Sequence, residues 1–167
     1  MRHSLMDKVR SIHEFKVSSI EGGEIDFSAF KGKKLLVVNT ASDCEFTPQY
    51  TQLQELFVHY KNKLVVIGFP SNNFGEQEPG TDREIKNFCS YRYGVTFPLA
   101  SKSDVTGENI NPVFKWLTSQ EIGTELNKKV TWNFQKFFLN EDGELIAVFP
   151  PAEDPINDKL LELLNMN

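Results

Sequence analysis

The sequence predicts an α/β fold, a mixed central sheet flanked by helices behind an N-terminal β-hairpin, and three observations predict it. Two short runs rich in branched apolar residues, 35–38 and 64–69, flank a stretch of helical periodicity. Alternating residues lie on either side of Glu21-Gly22-Gly23-Glu24 within 15–27. An aromatic run from Trp132 to Leu139 is followed by the turn Asn140-Glu141-Asp142-Gly143 and a second apolar run. Short branched runs are the mark of strands covered on both faces, and paired glycines supply the positive φ angles of a tight hairpin turn.

Taken in order, the hairpin comes first, as an outlying element. Strand 35–38 then leads into a loop holding Cys44, and Thr47 and Pro48 mark the start of a helix running to about Tyr60: a hydroxyl to cap it, then a proline whose missing N–H costs nothing there. With strand 64–69 this makes a β-α-β unit, expected to be right-handed. Residues 70–80, PSNNFGEQEPG, are dense in Gly, Pro and Asn and follow the second strand, at the sheet end where α/β proteins place their sites. Thr81 and Glu84 have capping-box spacing, Ile85, Phe88 and Cys89 then share a helical face, and Gly94 terminates it. Asn111-Pro112 starts a helix through Trp116, residues 118–129 form a polar connection, 132–139 and 144–149 form an antiparallel hairpin, and Asp154-Pro155 opens a last helix. The order is compatible with a thioredoxin-like fold in a single domain, residues 1–167.

Composition narrows the function classes. A chain of 167 residues with a net charge of -5 and a pI near 5.3 lacks the basic surface of a general nucleic-acid or anionic-membrane binder. Two cysteines without a CxxC pair, and three histidines, leave no zinc-like spacing, so no metal or other cofactor is expected. No apolar stretch approaches the roughly 20 residues needed to span a bilayer, and residues 1–15 lack the apolar core of a secretory signal. The expected location is the cytoplasm, which keeps thiols reduced.

Chemistry then falls to the thiols. Cys44 stands between a strand end and a helix start, where unpaired backbone N–H groups and the positive helix end favour thiolate over thiol. A peroxide-reducing thiolate passes charge from sulfur to a departing oxygen, and neutral donors stabilise both ends without titrating. Gln77, Trp132 and Asn133 are such donors. Their bland readings are loop, packing and turn residues. Cys89, on an apolar helical face, reads by periodicity as a core residue, and the acidic residues Glu76, Glu78, Asp82 and Glu84 read as a solvated loop and helix start.

The blocks VNTASDCEFTPQYTQL, GFPSNNFGEQEPG, FCSYRYGVTFP and WNFQKFFLNEDG, with the final PPAEDP, resemble the signature blocks of the glutathione peroxidase family in that family's order, over roughly residues 12–164. The resemblance implies the thioredoxin fold, a peroxidatic Cys44, and a tetrad completed by Gln77, Trp132 and Asn133. It matches Cys89 to the resolving cysteine of two-cysteine members, which form an internal disulfide and are reduced by thioredoxin in preference to glutathione. The short span between Trp116 and Trp132 resembles monomeric members. Two departures stand out: Glu45 replaces the usual glycine and sets a negative charge beside the thiolate, and Ser71 and Asn73 replace a usual Cys and Gln. The implied activity is reduction of H2O2 and organic or lipid hydroperoxides through a Cys44 sulfenic acid and a Cys44–Cys89 disulfide. The alternatives are a one-cysteine, glutathione-dependent peroxidase and a peroxide sensor that relays oxidation to a partner protein. Because Cys89 faces the core of its helix, the two-cysteine route requires residues 82–92 to unwind locally.

Overall fold

The structure, a computed structural model, describes residues 9–122 and 129–166. Residues 123–128 of the expected polar connection lie outside them. The N-terminal hairpin forms as expected: β1 (Lys16–Ser18) pairs antiparallel with β2 (Glu24–Asp26), and Gly22 and Gly23 carry φ of 93° and 72° in the turn. β3 (Lys34–Thr40) then runs parallel to β4 (Leu64–Pro70) through α1 (Gln49–His59). α2 (Asp82–Tyr93) and α3 (Pro112–Ser119) follow, then β5 (Lys136–Leu139), β6 (Leu145–Phe149) and α4 (Asp158–Leu164). The four-stranded order is β4-β3-β5-β6, with β5 antiparallel to both β3 and β6.

Strand alternation divides the interior into two cores. Leu36, Val38, Val66 and Phe138 face a core built with α1, α2 and α4. Leu35, Val37, Ile67 and Phe137 face one built with α3 and residues of the hairpin region. Both sheet faces are therefore covered, which is why β3 and β4 are buried at every position. A Cβ at Gly68 of β4 would lie 2.6 Å from Leu99 Cδ2, so a side chain there would have to displace Leu99.

The helix ends match their signals where a side chain caps them. Thr81 and Glu84 form the capping box of α2, Gly94 closes it with φ of 61°, and Asn111 Oδ1 accepts from Phe114 N ahead of Pro112. Three expectations are corrected. α1 begins at Gln49 with Pro48 as its uncapped N-cap, because the Thr47 hydroxyl is used elsewhere. The last helix begins at Asp158, where Asn157 Oδ1 accepts from Leu160 N at 2.8 Å. Trp132 and Asn133 lie in a turn before β5 rather than in a strand, and Phe134 takes φ of 69° to reverse the chain.

Among the described residues, two lysines are buried. Lys34 Nζ donates to Leu163 O and Met166 O, each at 2.6 Å, and to Leu164 O at 3.2 Å, satisfying carbonyls at the C-terminus of α4. Lys136 makes a similar clamp nearer the site.

Candidate active site

The parallel pair β3 and β4 ends at Thr40 and Pro70, so the loops that follow both strands emerge at one end of the sheet. The first carries Cys44. Thr47 Oγ1 accepts from Cys44 N at 2.9 Å and donates to Ala41 O at 2.8 Å, folding residues 41–47 into a tight turn. This is why Thr47 does not cap α1. Phe46 N–H points at Cys44 Sγ, 3.3 Å away, and Sγ is a free thiol in a side chain 7% exposed. This N–H is placed to hydrogen-bond the sulfur as it reacts.

The second loop is stitched to the first by Asp43 N donating to Gln77 O at 3.0 Å. The third sits before β5. Asn39, near the end of β3, holds it: Asn39 Nδ2 donates to Trp132 O at 3.0 Å, and Asn39 Oδ1 accepts from Gln135 N at 3.1 Å. Asn133, fully buried, then donates through Nδ2 to Gln77 Oε1 at 2.9 Å and to Phe74 O at 3.3 Å. With its oxygen engaged, the Gln77 amide is oriented by Asn133. Trp132 packs on Phe74 at a ring distance of 5.8 Å and against the core cluster that contains Cys44. Among the described residues, neither Gln77 Nε2 nor the Trp132 indole nitrogen has a protein acceptor. Both N–H groups are thus available for a thiolate or a departing oxygen.

Gly75 is part of this arrangement. At φ of 65°, its added Cβ would stand 3.1 Å from the Trp132 ring and 3.2 Å from the Gln77 amide. Gly75→Ala should therefore displace both donors and lower kcat/KM for a hydroperoxide by about tenfold or more in steady-state assays; an alanine variant with wild-type kinetics would mean that their placement does not matter.

Asn73 does structural work in place of the usual glutamine: Oδ1 accepts from Val105 N at 2.7 Å and Nδ2 donates to Asp104 Oδ1 at 3.1 Å. Cys89 is a free thiol, 1% exposed, on the core side of α2. Burial pushes its pKa up to about 11, the Tyr50 hydroxyl opposes that rise, and the Glu78 charge adds to it.

Glu78 corrects a further expectation. It is 1% exposed rather than solvated, two residues after Glu76, whose φ is 52°. Burial raises its pKa to about 7, Ser42 lowers it, Asp43 raises it and Lys102 lowers it. Nothing in a Gly-, Pro- and Glu-rich loop announces a buried carboxyl; the loop's length, which lets it fold over the Cys44 turn, was the available hint. A carboxyl whose folded pKa lies above its unfolded value holds a proton that the unfolded chain releases, so this contribution is present below pH 4.5 and lost as pH rises through about 7. Relative to wild type, Glu78→Gln should gain about 2 kcal/mol in urea unfolding between pH 5 and pH 8. Parallel stability curves would contradict this.

The glutathione peroxidase family model matches residues 12–118. "Glutathione peroxidase homolog BsaA" of Bacillus subtilis is 43% identical over 157 residues, covering 92% of this chain and 98% of that one. "Glutathione peroxidase-like peroxiredoxin gpx1" of Schizosaccharomyces pombe is 46% identical over 138 residues, covering 81% and 85%. "Hydroperoxy fatty acid reductase gpx1" of Synechocystis sp. is 44% identical over 151 residues, covering 87% and 89%. Among solved structures, T. cruzi GPX1 is 30% identical with a TM-score of 0.72, over 93% of this chain and 97% of that one. A thioredoxin family protein from Chlorobium tepidum, 15% identical with a TM-score of 0.64 over 93% and 95%, shares the fold. The expected thioredoxin-like architecture is thus the observed one. With a family match spanning the Cys44 turn, the Gln77 loop and α2, and relatives above 40% identity over most of both chains, this chain belongs to the glutathione peroxidase family.

Proposed function

We propose that this single-domain peroxidase reduces H2O2 and organic hydroperoxides through Cys44 and is recycled by thioredoxin through Cys89. The observation that carries the reading is the linked pair of loops behind Cys44, in which Asn133 orients Gln77 while the Gln77 and Trp132 N–H groups stay unclaimed. Cys44 thiolate attacks one peroxide oxygen and forms the S–O bond of a sulfenic acid, the O–O bond breaks, and the other oxygen departs as alkoxide or hydroxide and takes a proton from solvent to become alcohol or water. Cys89 then displaces water from that sulfur to form a disulfide, and a thioredoxin thiolate opens it by exchange. The names of the S. pombe and Synechocystis relatives, a peroxiredoxin and a hydroperoxy fatty acid reductase, favour an organic or lipid substrate alongside H2O2. Because both thiols must be re-reduced each cycle, the working compartment is a reducing one such as the cytoplasm, and the chain acts there as a monomer.

Cys89 packs inward on α2, so the disulfide requires residues around it to leave the helix. The same burial is what a one-cysteine, glutathione-dependent enzyme would show. NADPH consumption with cumene hydroperoxide separates them when thioredoxin plus its reductase and glutathione plus its reductase are run on wild type and Cys89→Ser. Thioredoxin-supported turnover that falls at least tenfold in the variant is the expected result. Glutathione-supported turnover untouched by the mutation would return Cys89 to the core, and oxidation without turnover would indicate a sensor.

A further inference from the structure

The Gln77 loop presents a second group that the tetrad does not use. Glu78 turns away from Gln77, toward a buried polar cluster made by Thr40 at the end of β3, Ser42 in the Cys44 turn, Tyr50 on α1 and Cys89 on α2. Glu78 Oε2, Tyr50 Oη, Thr40 Oγ1 and Ser42 Oγ are all buried without a hydrogen bond of good geometry. The Tyr50 hydroxyl adjoins the Cys89 thiol and the Thr40 hydroxyl, and the Glu78 charge acts on both Tyr50 and Cys89. Buried polar groups without partners, concentrated at one place, are expensive, and a catalytic role is one reason such groups persist. A cavity of about 240 Å³, lined by Ser42 and Asp43 of the Cys44 turn, by Glu78 and by Ile85 and Phe88 of α2, lies between that turn and the helix, and neither thiol lines it.

Resting on the resolving role proposed for Cys89, we propose that Glu78 is a catalytic residue of the resolving step, the acceptor of the Cys89 proton in the packed state from which the segment around Cys89 leaves α2 for oxidised Cys44. The thiol S–H bond breaks and its proton passes to the Glu78 carboxylate. The thiolate electron pair forms the bond to Cys44 sulfur, the Cys44 S–O bond breaks, and the departing oxygen takes the proton from Glu78 and leaves as water. Cys89 is oxidised, the sulfenic sulfur is reduced, and Glu78 returns to carboxylate. The chemistry is matched: a thiol held near 11 is almost wholly protonated at neutral pH, and a carboxyl held near 7 is the better-placed base. The charges facing Glu78 balance around it, with Asp43 from the Cys44 turn opposed by Lys102, whose Nζ donates to Glu78 O at 3.3 Å. Glu84, at the start of α2, lines the same cavity and is engaged with Thr81.

The test times the two half-steps separately on full-length protein after one equivalent of H2O2: sulfenic acid by dimedone trapping, disulfide by loss of the second thiol. In Glu78→Gln, disulfide formation should slow by about 100-fold while sulfenic acid forms at a rate within about threefold of wild type. In wild type the disulfide step should rise with pH and level off above about 7; in the variant that ionisation should vanish and the rate should keep rising toward the thiol's own range. In Glu78→Ala, formate should restore the disulfide step in proportion to its concentration, a response that a purely structural role would not give. Wild-type resolution rates and an unchanged pH profile in Glu78→Gln would overturn the proposal. A wild type that loses one thiol only would overturn it by removing the resolving step itself, an outcome visible before any variant is made.

Discussion

Replacing Cys44 with serine is expected to lower kcat/KM for cumene hydroperoxide by at least about 1,000-fold, with little change in the urea midpoint. A serine hydroxyl is smaller than a thiol and stays protonated at neutral pH, so the Phe46 N–H that faces Sγ would have no anion to stabilise. The surrounding turn should survive, because its bonds run through the backbone of residue 44 and the Thr47 hydroxyl rather than through sulfur. Loss of activity with retained stability separates a reactive cysteine from a core one. A serine variant that keeps a tenth of the wild-type rate would place the reactive group elsewhere.

The largest stability effect should come from Lys136→Met. Lys136 lies fully buried in β5, and its Nζ donates to Pro151 O at 2.9 Å, Pro150 O at 3.3 Å and Glu153 O. Gln49 Nε2, in the first turn of α1, donates to the same Pro151 O at 2.9 Å. Together they fasten residues 150–153 against the start of the helix that follows the Cys44 turn. Burial lowers the lysine pKa to about 7 while Glu153 and Asp154 raise it. Methionine matches the length and apolar stem but leaves carbonyls without a donor, at a cost of about 3 kcal/mol, a large share of a typical domain's stability. Equilibrium urea unfolding measures it. A change below about 0.5 kcal/mol would show that the clamp contributes nothing.

These two residues also mark what could and could not be read from the sequence. Cys44 was legible because a strand run, a loop and a helix start follow one another in the chain, and local order dictates the electrostatics of the junction. Gln77, Trp132 and Asn133 were legible as suitable donors, but their grouping was implied by the resemblance alone, since Asn39 on a different strand sets the third loop and a glycine at φ of 65° makes room for the second. The periodicity of α2 placed Cys89 in the core correctly; its proposed resolving role came from resemblance alone. Lys136 was not singled out and Glu78 was read as solvated for one reason. A charged residue in a run such as KFFL, or in a loop such as EQEPG, reads as exposed unless its distant partners are known, and those partners lie 14 to 17 residues away for Lys136. The helix starts shifted for related causes: the Thr47 hydroxyl accepts from Cys44 N instead of from the first turn of α1, and Asn157 caps the last helix in place of Asp154.

The most direct test of the central claim is to treat the reduced wild-type protein with one equivalent of hydroperoxide, count the thiols and weigh the intact chain. Two thiols lost, a mass lower by two hydrogens and a peptide pair joined through Cys44 and Cys89 are the expected result. One thiol lost, with the mass raised by one oxygen on the Cys44 peptide, would contradict the two-cysteine cycle.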